Sequence, residues 1–316
     1  MTSADSRTLA DVGEFGLIDA ITPAFERTPA VLIGPGDDSA SLATTGPVLV
    51  TTDLQIERSD FRRDWSEAVD VGHRAVAASL ADIAAMGGVT TGLVVGLAAP
   101  PDLTVEWVRE LADGMAAEAA MVGATVVGGD LSEADQIVLA VTALGHADGE
   151  PVRRSGARPG QVVAMAGRVG WSAAGLAVLG RGFRSPRAVV EAYRRPEPPY
   201  AAGPQALAAG ASAMIDVSDG LLADLGHIAA ASGAAIDVES AAMEIDEPLE
   251  AVGAAIGVEP VRFCLTGGED HALVATFDAK TSVPEGWRPI GRVSEGSGVT
   301  VDGAEYEGDA GHTHFG

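Results

Sequence analysis

Cysteine is nearly absent from this chain of 316 residues, which contains only Cys264. A single cysteine excludes an internal disulfide, so the folded state depends on packing and hydrogen bonding alone. Cys264 lies in the apolar, strand-like run VRFCL, and free cysteines are among the most frequently buried residues. We therefore expect Cys264 to fill space in the core. The six histidines show no HExxH spacing, and no zinc site is expected.

Positive charge is also scarce, since the formal net charge is −25 and Lys280 is the only lysine. A surface with this charge repels nucleic acids and acidic membranes, so neither is an expected partner. The P-loop motif GxxxxGK[ST] is excluded, because no glycine precedes Lys280 in the required spacing. If the protein binds nucleotides, metal ions and a few arginines must offset the phosphate charge.

Aromatic side chains make up only 4% of the chain, whereas glycine occurs 40 times. The core must therefore rely on aliphatic residues and on helices that pack closely together. No apolar run reaches the roughly 18 residues that indicate a membrane span. The first residues, MTSADSRTLADVGEF, lack the basic and apolar regions of an export signal. A cytoplasmic location is expected.

What the chain does contain is aspartate next to glycine or beside apolar residues, in six short segments. Carboxylate oxygens are typical ligands of Mg²⁺, whose shell is often completed by substrate phosphates. A buried carboxylate must be paired or bound to a metal. The pattern therefore predicts metal-assisted chemistry on phosphates. The segments are GPGDDSASL (34–42), LVTTDLQIE (49–57), SLADIAAMGG (79–88), VVGGDL (126–131), MIDVSDGLLADLGH (214–227) and LTGGEDHAL (265–273).

Each segment also has an ordinary structural explanation. Aspartate and glycine are common in turns, and Asp216, Ser218 and Asp219 are good N-cap residues before a helix. Asp82 is harder to explain in this way, because it lies inside an apolar helical pattern where aspartate is disfavoured. Asp224 is expected to face solvent, and His227 is expected to have no chemical role. Taken together, the six segments favour the interpretation that these side chains converge on one metal site, and disfavour the interpretation that they are unrelated turns.

Alternation of apolar runs with helical patterns predicts an α+β fold in two domains, 1–147 and 148–316. The turn-rich stretch ADGEPVRRSGARPGQ (147–161) marks the boundary. In the first domain helices should lie on one face of a sheet, and the second domain should be α/β. The main predicted elements of the first domain are strands over 47–52, 91–99 and 136–146 and helices over 66–86 and 104–122.

Many short stretches, in this order, resemble the thiamine-monophosphate kinase family of the aminoimidazole-ribonucleotide-synthetase-like superfamily. The similarity spans nearly the whole chain, and its longest segments are the most specific. The similar stretches are GEFGLI (13–18), GDDSA (36–40), TTD (51–53), FRRDW (61–65), LADIAAMGG (80–88), GGD (128–130), RSGARPG (154–160), IDVSDGLLADLGHI (215–228) and LTGGEDHAL (265–273).

The resemblance implies ATP- and Mg²⁺-dependent phosphorylation of thiamine monophosphate to thiamine diphosphate, by direct in-line transfer to the acceptor's phosphate group. It implies a homodimer in which the N-terminal domain binds metal and ATP and joins its sheet to the partner's in a barrel. The C-terminal domain would close over the nucleotide. ATP is the implied co-substrate, several Mg²⁺ ions are the implied cofactors, and K⁺ is a further candidate ion.

By motif match, the resemblance also implies roles for individual residues. The catalytic candidates are Asp130 and Arg154. The residues that would contact ATP are Gly129, Asp130, Arg154 and Ser218. Those that would contact the thiamine phosphate are Asp60, Glu269 and His312. The implied Mg²⁺ ligands are Asp38, Thr51, Thr52, Asp53, Asp82, Asp130, Asp216 and Asp219.

The acceptor side departs from the family pattern. Asp60 stands where the family often has a histidine that contacts substrate, and His312 stands where an aromatic residue often faces it. His271 and Ala272 replace the usual Tyr and Glu, and Leu131 follows GGD in place of Thr. The metal and ATP positions are unchanged, so the acceptor is the less firmly implied half of the reaction.

Other interpretations stay open. One is another ATP-dependent enzyme of the superfamily with a different acceptor, such as an enzyme of amidine-forming ring closure. Selenophosphate synthesis is disfavoured, because no reactive Cys or Lys lies near the N-terminus. A non-enzymatic alternative is a Ca²⁺-binding or acid-rich structural protein, although DxDxDG loops are absent. An acid-adapted surface with ordinary turns predicts aspartates that scatter in space.

Overall fold

The computed structural model describes residues 7–34 and 39–312, so the predicted metal ligand Asp38 lies outside the described residues. The chain divides into two compact units. The first contains the described residues up to Ile83 together with Val89–His146. The second contains Ala84–Gly88 and the described residues from Ala147 onward.

The N-terminal half of the chain combines helices with a sheet. Its elements are α1 (Leu9–Ile21), β1 (Val31–Ile33), β2 (Ser41–Leu42), β3 (Val48–Ile56), α2 (Ala68–Ala85), β4 (Gly88–Ala99), α3 (Val105–Ala120), β5 (Val126–Glu133) and β6 (Val138–Ala147). The strand order of the main sheet is β3-β6-β4-β5. β3 and β6 are antiparallel, and β4 and β5 are parallel. A small antiparallel pair, β1 with β2, lies outside this sheet.

One face of the main sheet is covered and the other is open. Burial along β6 alternates strictly, with Val141 and Ala143 fully buried on one face. That face meets α2, because the Ser79 hydroxyl donates a hydrogen bond to the Val141 carbonyl. On the opposite face Val50 and Leu54 of β3 are 62% and 57% exposed. Among the described residues, α2 therefore covers one face, in agreement with the predicted arrangement, while Val50 and Leu54 leave apolar surface exposed on the other.

The crossing of α2 and α3 depends on two glycines. A Cβ at Gly72 would lie 2.2 Å from the Leu111 carbonyl oxygen, and one at Gly114 would lie 2.1 Å from the Val69 carbonyl oxygen. Both distances are far inside van der Waals contact, so any side chain there would push the helices apart. The close helix packing predicted from the abundance of glycine is confirmed at this crossing.

The C-terminal half surrounds a mixed sheet with helices. Its elements are β7 (Val162–Ala166), α4 (Trp171–Gly180), α5 (Arg187–Arg194), α6 (Ala202–Ala208), β8 (Ala213–Asp216), α7 (Leu221–Ser232), β9 (Ala235–Val238), α8 (Glu247–Ile256), α9 (Pro260–Thr266), β10 (Leu273–Phe277), β11 (Trp287–Ser294), β12 (Gly298–Val301) and β13 (Ala304–Glu305). The strand order is β13-β12-β9-β11-β7-β10-β8. Only the β9–β12 pairing is parallel among the described strand pairs of this sheet.

Cys264 is fully buried, as predicted, but its predicted strand is wrong. The run VRFCL lies in α9, which begins at Pro260. Proline is favoured in the first turn of a helix, and a five-residue apolar run does not distinguish helix from strand by its periodicity. Burial raises the pKa of the Cys264 thiol to about 12, so this cysteine stays a neutral thiol and serves as packing.

Within the described part of the chain, no helix combines the length and the apolar character that crossing a lipid bilayer requires. The cytoplasmic location stays a prediction.

Candidate active site

Four oxygen-bearing side chains meet between β3 and α2 in the first unit. Thr51 and Asp53 are two residues apart on a strand, so both side chains point to the same face of the sheet. Ser79 and Asp82 are three residues apart on a helix and therefore share one side of it. Because α2 packs on that face of the sheet, the two pairs face each other.

Hydrogen bonds join the two pairs. The Thr51 hydroxyl donates a hydrogen bond to Asp82 Oδ2 at 2.5 Å, and the Ser79 hydroxyl donates one to Asp53 Oδ2 at 2.7 Å. Both carboxylates are half-buried, and Ser79 is fully buried. The hydroxyls thus fix one oxygen of each carboxylate. Ser79 was not predicted, although its spacing of three residues from Asp82 was a usable signal.

Thr52 lies on the other face of the sheet. Its register partner on β6 is Thr142, whose hydroxyl lies 3.1 Å from the Thr52 hydroxyl. The Thr52 side chain therefore points away from Thr51 and Asp53. The metal role of Thr52 stays a prediction.

Asp130 lies at the opposite edge of the same sheet from Asp53. Neighbouring strands can be followed across the sheet one residue at a time. Leu54 on β3 pairs with Ala140 on β6, a Cβ at Gly96 on β4 would lie 3.6 Å from the Ala140 Cβ, and Gly96 pairs with Asp130 on β5. Asp130 therefore lies in the same row across the sheet as Leu54, the residue after Asp53, but on the opposite edge strand. Asp130 is exposed, so its carboxylate is accessible to a ligand.

The two glycines before Asp130 differ in how much space surrounds each of them. A Cβ at Gly129 would lie 2.1 Å from the Val95 carbonyl oxygen on β4, so Gly129 is needed for the strand pairing itself. Nothing lies within 4 Å of a Cβ at Gly128, which leaves open space at the sheet edge. Gly128 and Gly129 also line a cavity of about 1080 Å³ in the first unit.

In the second unit several predicted residues meet at the end of β8. Asp216 is the last residue of β8, and Ser218 and Asp219 follow it before α7. The Glu269 amide donates to the Ser218 carbonyl at 2.9 Å, and the His312 amide donates to the Asp219 carbonyl at 2.9 Å. The structure thus brings together Asp216, Ser218, Asp219, Glu269 and His312, which the sequence assigned to metal, ATP and acceptor roles.

Asp224 is buried, so its predicted exposure to solvent is wrong. It is only 2% exposed, and its Oδ2 accepts hydrogen bonds from the amides of Ser218, Asp219 and Gly220 at 3.0–3.1 Å. Burial raises the pKa of Asp224 to about 7. This carboxyl group holds the turn that carries Ser218 and Asp219, a role that its helical position does not indicate.

The GGEDH turn is fixed from two sides. His271 Nδ1 lies 3.1 Å from Asp216 Oδ2, and both side chains are about 5% exposed. Asp270 is also buried, and its Oδ1 accepts a hydrogen bond at 2.9 Å from the Ser172 amide in the first turn of α4. Glu269 and His271 have positive φ angles of 69° and 52°. These contacts hold Glu269 in a strained backbone conformation beside Ser218.

We predict that Asp270 makes the stability of the protein depend on pH. Burial, the largest cause, raises the pKa of Asp270 to about 7. In the unfolded chain the Asp270 carboxyl should titrate near its ordinary pKa of about 4. Unfolding between about pH 4 and 7 therefore releases a proton from Asp270. The free energy of unfolding should fall as pH rises through that range. Asp224, whose pKa is raised to a similar value, contributes to the same slope. Asp270→Asn should remove the part that Asp270 produces, a change in the free energy of unfolding of up to about 4 kcal/mol across that range. Urea unfolding of both proteins at pH 5 and pH 8 measures it; equal slopes would contradict the prediction.

Arg154 and Asp60 make other contacts. Arg154 is exposed, and its backbone carbonyl accepts a hydrogen bond from the Ser232 hydroxyl at 3.3 Å. Among the described residues, its side chain forms no hydrogen bond or ion pair with Asp216 or Asp219, and its ATP role stays a prediction. In the first unit Asp60 Oδ2 accepts from the Ile56 amide at 2.7 Å, so its carboxylate fixes the loop after β3.

The donor set of the first unit suits a hard divalent cation. Hydroxyl and carboxylate oxygens make up the cluster of the first unit, and such donors are those that Mg²⁺ prefers. In the second unit, ligand atoms of Asp219, Asp224 and His227 lie within 4.8 Å of one another. His227, for which no role is expected, therefore lies beside a predicted metal ligand. The residues present fit the ion that the resemblance implies.

Comparison with known proteins covers nearly the whole chain. Residues 36–147 match the N-terminal domain of AIR synthase related proteins, and residues 158–303 match their C-terminal domain. A thiamine-monophosphate kinase of Mycobacterium tuberculosis is 48% identical over 318 residues, which cover 99% of this chain and 95% of that protein. The chain belongs to the thiamine-monophosphate kinase family.

Solved structures of thiamine-monophosphate kinases have the same fold. The enzyme of Stenotrophomonas maltophilia superposes with a TM-score of 0.81 at 31% identity, over 93% of this chain and 98% of that one. AaThiL complexed with AMPPCP and TMP gives a TM-score of 0.77 at 29% identity, over 97% and 99% of the two chains. The α+β fold and the family predicted from the sequence are confirmed, and the dimeric barrel stays a prediction.

Proposed function

We propose that this protein phosphorylates thiamine monophosphate to thiamine diphosphate with ATP and Mg²⁺, by direct in-line transfer. The observation that carries the proposal is the oxygen cluster of Thr51, Asp53, Ser79 and Asp82, which is built from the TTD motif and the segment SLADIAAMGG (79–88). The family membership supports the reaction, and the AMPPCP and TMP bound to AaThiL support the two substrates.

Charge explains why such a reaction needs several carboxylates. ATP and a phosphate monoester together carry about six negative charges at neutral pH, and they repel each other strongly in a cleft. Bound Mg²⁺ supplies charge neutralisation for the phosphates. In the first unit Asp53, Asp82 and Asp130 would hold the ions, and the hydroxyls of Thr51 and Ser79 would keep the first two carboxylates oriented.

The second unit would contribute further residues to the same reaction. Asp216 and Asp219 are the proposed metal ligands, Ser218 would contact ATP, and Glu269 would contact the acceptor. The acceptor atom is a phosphate oxygen that is already ionised at neutral pH, so no general base is required. Catalysis then rests on positioning and charge stabilisation, to which Arg154 would add a guanidinium group.

A coupled assay of ADP release tests the proposal directly. Purified protein is supplied with ATP and Mg²⁺ and with thiamine monophosphate, thiamine or other phosphate and amide acceptors. The proposal expects turnover that requires both Mg²⁺ and thiamine monophosphate and yields thiamine diphosphate. Turnover with a different acceptor alone would favour another activity of the superfamily, and a failure to bind ATP with Mg²⁺ would favour a non-enzymatic role.

The homodimer belongs to the same proposal, and the open face of the sheet supports it. β3 and β5 form the two edges of the sheet, with Asp53 and Asp130 at nearly the same level. If two copies close their sheets into a barrel around a two-fold axis, β3 of one copy lies beside β5 of the other. The β3 edge that carries Asp53 would then adjoin the partner's β5 edge, which carries Asp130, so that residues of both copies would line one site. Such a barrel would also bury the exposed Val50 and Leu54.

We predict that Val50→Asp dissociates this dimer. The side chain is 62% exposed in the single chain, so the monomer should tolerate the charge, whereas a closed apolar interface should not. Sedimentation should show the mass fall from that of two chains to that of one. Phe183→Asp, which changes an equally exposed apolar residue of the second unit, is the matched control. An unchanged mass for the Val50 variant would contradict the barrel.

A further inference from the structure

The loop that joins β3 to α2 holds an arginine in an unusual backbone conformation. Arg58 has a φ of 73°, in the left-handed region that favours glycine, and its side chain is exposed. The conformation is enforced locally, because the Arg58 amide donates to the Phe61 carbonyl at 2.7 Å and Phe61 is buried. A large basic side chain is thus kept where glycine would be unstrained, and such strain is frequent at ligand sites.

The charges around Arg58 leave its guanidinium uncompensated. A cavity of about 560 Å³ is lined by Arg58 together with Glu57, Arg62, Arg63 and Asp64. Arg63 pairs with Glu57 at 2.6 Å, and Arg62 makes two hydrogen bonds to Asp64 at 2.8 and 2.9 Å. Each carboxylate of the cavity is therefore occupied by another arginine. Among the described residues, none forms an ion pair or hydrogen bond with the Arg58 side chain.

Neighbouring contacts make this cavity a preformed cationic site. The Arg62 guanidinium lies 4.4 Å from the ring centroid of Trp65, which restricts its rotation. The Asp60 carboxylate accepts from the Ile56 amide and is thereby directed to the loop backbone. In a chain with a net charge of −25, a rigid loop that presents an unpaired guanidinium beside two ordered ones is suited to a small dianion.

We propose that Arg58 binds the phosphate group of the acceptor and so selects a phosphate monoester over the unphosphorylated alcohol. This inference rests on the proposed function, in which thiamine monophosphate is the acceptor. Arginine suits the task, because its planar guanidinium makes two parallel hydrogen bonds to phosphate oxygens. Arg58 is then a specificity residue of the acceptor site.

Arg58→Gly and Arg58→Lys test the proposal. The glycine variant removes the charge and also relieves the backbone strain, so it should fold at least as well as the parent protein. It should raise KM for thiamine monophosphate about tenfold or more, while kcat and KM for ATP change little. The lysine variant should recover part of the affinity. Arg187→Ala, which removes an exposed arginine of α5, is the matched control and should change neither KM.

Calorimetry separates this inference from the proposed reaction. Thiamine monophosphate, thiamine and inorganic phosphate are each titrated into the parent protein and into Arg58→Gly. Weaker binding of both phosphate-containing probes to the variant, with unchanged binding of thiamine, supports the anion site even if no turnover is seen. Equal affinity of the two proteins for thiamine monophosphate and for phosphate would overturn it.

Discussion

Asp130→Asn should lower kcat/KM by a factor of about 10³ or more and leave the fold intact. Loss of a carboxylate ligand to a catalytic Mg²⁺ removes several kcal/mol of charge stabilisation, and about 4 kcal/mol corresponds to that factor. The fold should survive because Asp130 is exposed on an edge strand. Among the residues that the structure describes, its carboxylate accepts a single long hydrogen bond, at 3.4 Å from the Ser132 hydroxyl. Steady-state kinetics over a range of Mg²⁺ concentrations, together with circular dichroism, provide the measurement.

Asp135→Asn is the matched control for this prediction. Asp135 is an exposed acid between β5 and β6 and lies outside every motif that points to the site. Its replacement changes the charge of the same region by the same amount, so it should leave kcat/KM within about twofold. Near-normal turnover by the Asp130 variant would show that its metal role is wrong.

The same variant also tests whether two copies share each site. Asp53→Asn and Asp130→Asn homodimers should both be inactive. If the site joins Asp53 of one copy to Asp130 of the other, each mixed dimer has one intact site. Random mixing should then restore about a quarter of the parent activity. Mixtures that stay inactive would place both carboxylates in one chain's own site.

Asp224→Ala should cost about 3 kcal/mol of stability and loosen the turn that carries Ser218 and Asp219. The Asp224 carboxyl accepts three backbone amides in a buried position, and alanine would leave those donors unsatisfied. Urea unfolding measures the loss. Hydrogen exchange should rise at the amides of Ser218, Asp219 and Gly220 more than elsewhere in the second unit, because these lose their acceptor.

Asp224→Asn is the informative comparison. Because burial raises the pKa of Asp224 to about 7, a neutral side chain of the same shape should be tolerated. Its amide oxygen can accept the same amides, so most of the stability should be kept. Similar losses for the alanine and asparagine variants would mean that the negative charge, and not the acceptor oxygen, holds the turn.

Local periodicity was sufficient to predict several parts of the site. The helix around Asp82 and the strand of TTD follow from spacings of 3.6 and two residues, and they predict which side chains share a side of each element. The order of motifs along the chain indicated the family and the two-domain α+β fold. The prediction for Cys264 was half right, because burial follows from residue type whereas a short apolar run suits either helix or strand.

Other parts of the site depend on which elements pack together. Ser79 joins Asp53 only because α2 lies on the inner face of β3, and Thr52 faces away because neighbouring strand residues alternate. Asp224 was predicted to be exposed, yet it is buried by the turn whose amides it accepts. In each case the deciding contact joins different segments of the backbone.

The sequence by itself determined the types of oxygen atom in the candidate site, the elements that carry them and the strongly negative net charge. Only the tertiary structure decided which carboxylates are bound by hydroxyls, which are buried as structural caps, and that Asp53 and Asp130 occupy opposite edges of one sheet. The physical reason is that periodicity reports the side of an element on which a residue lies. What covers that side is set by long-range packing, which no local pattern contains.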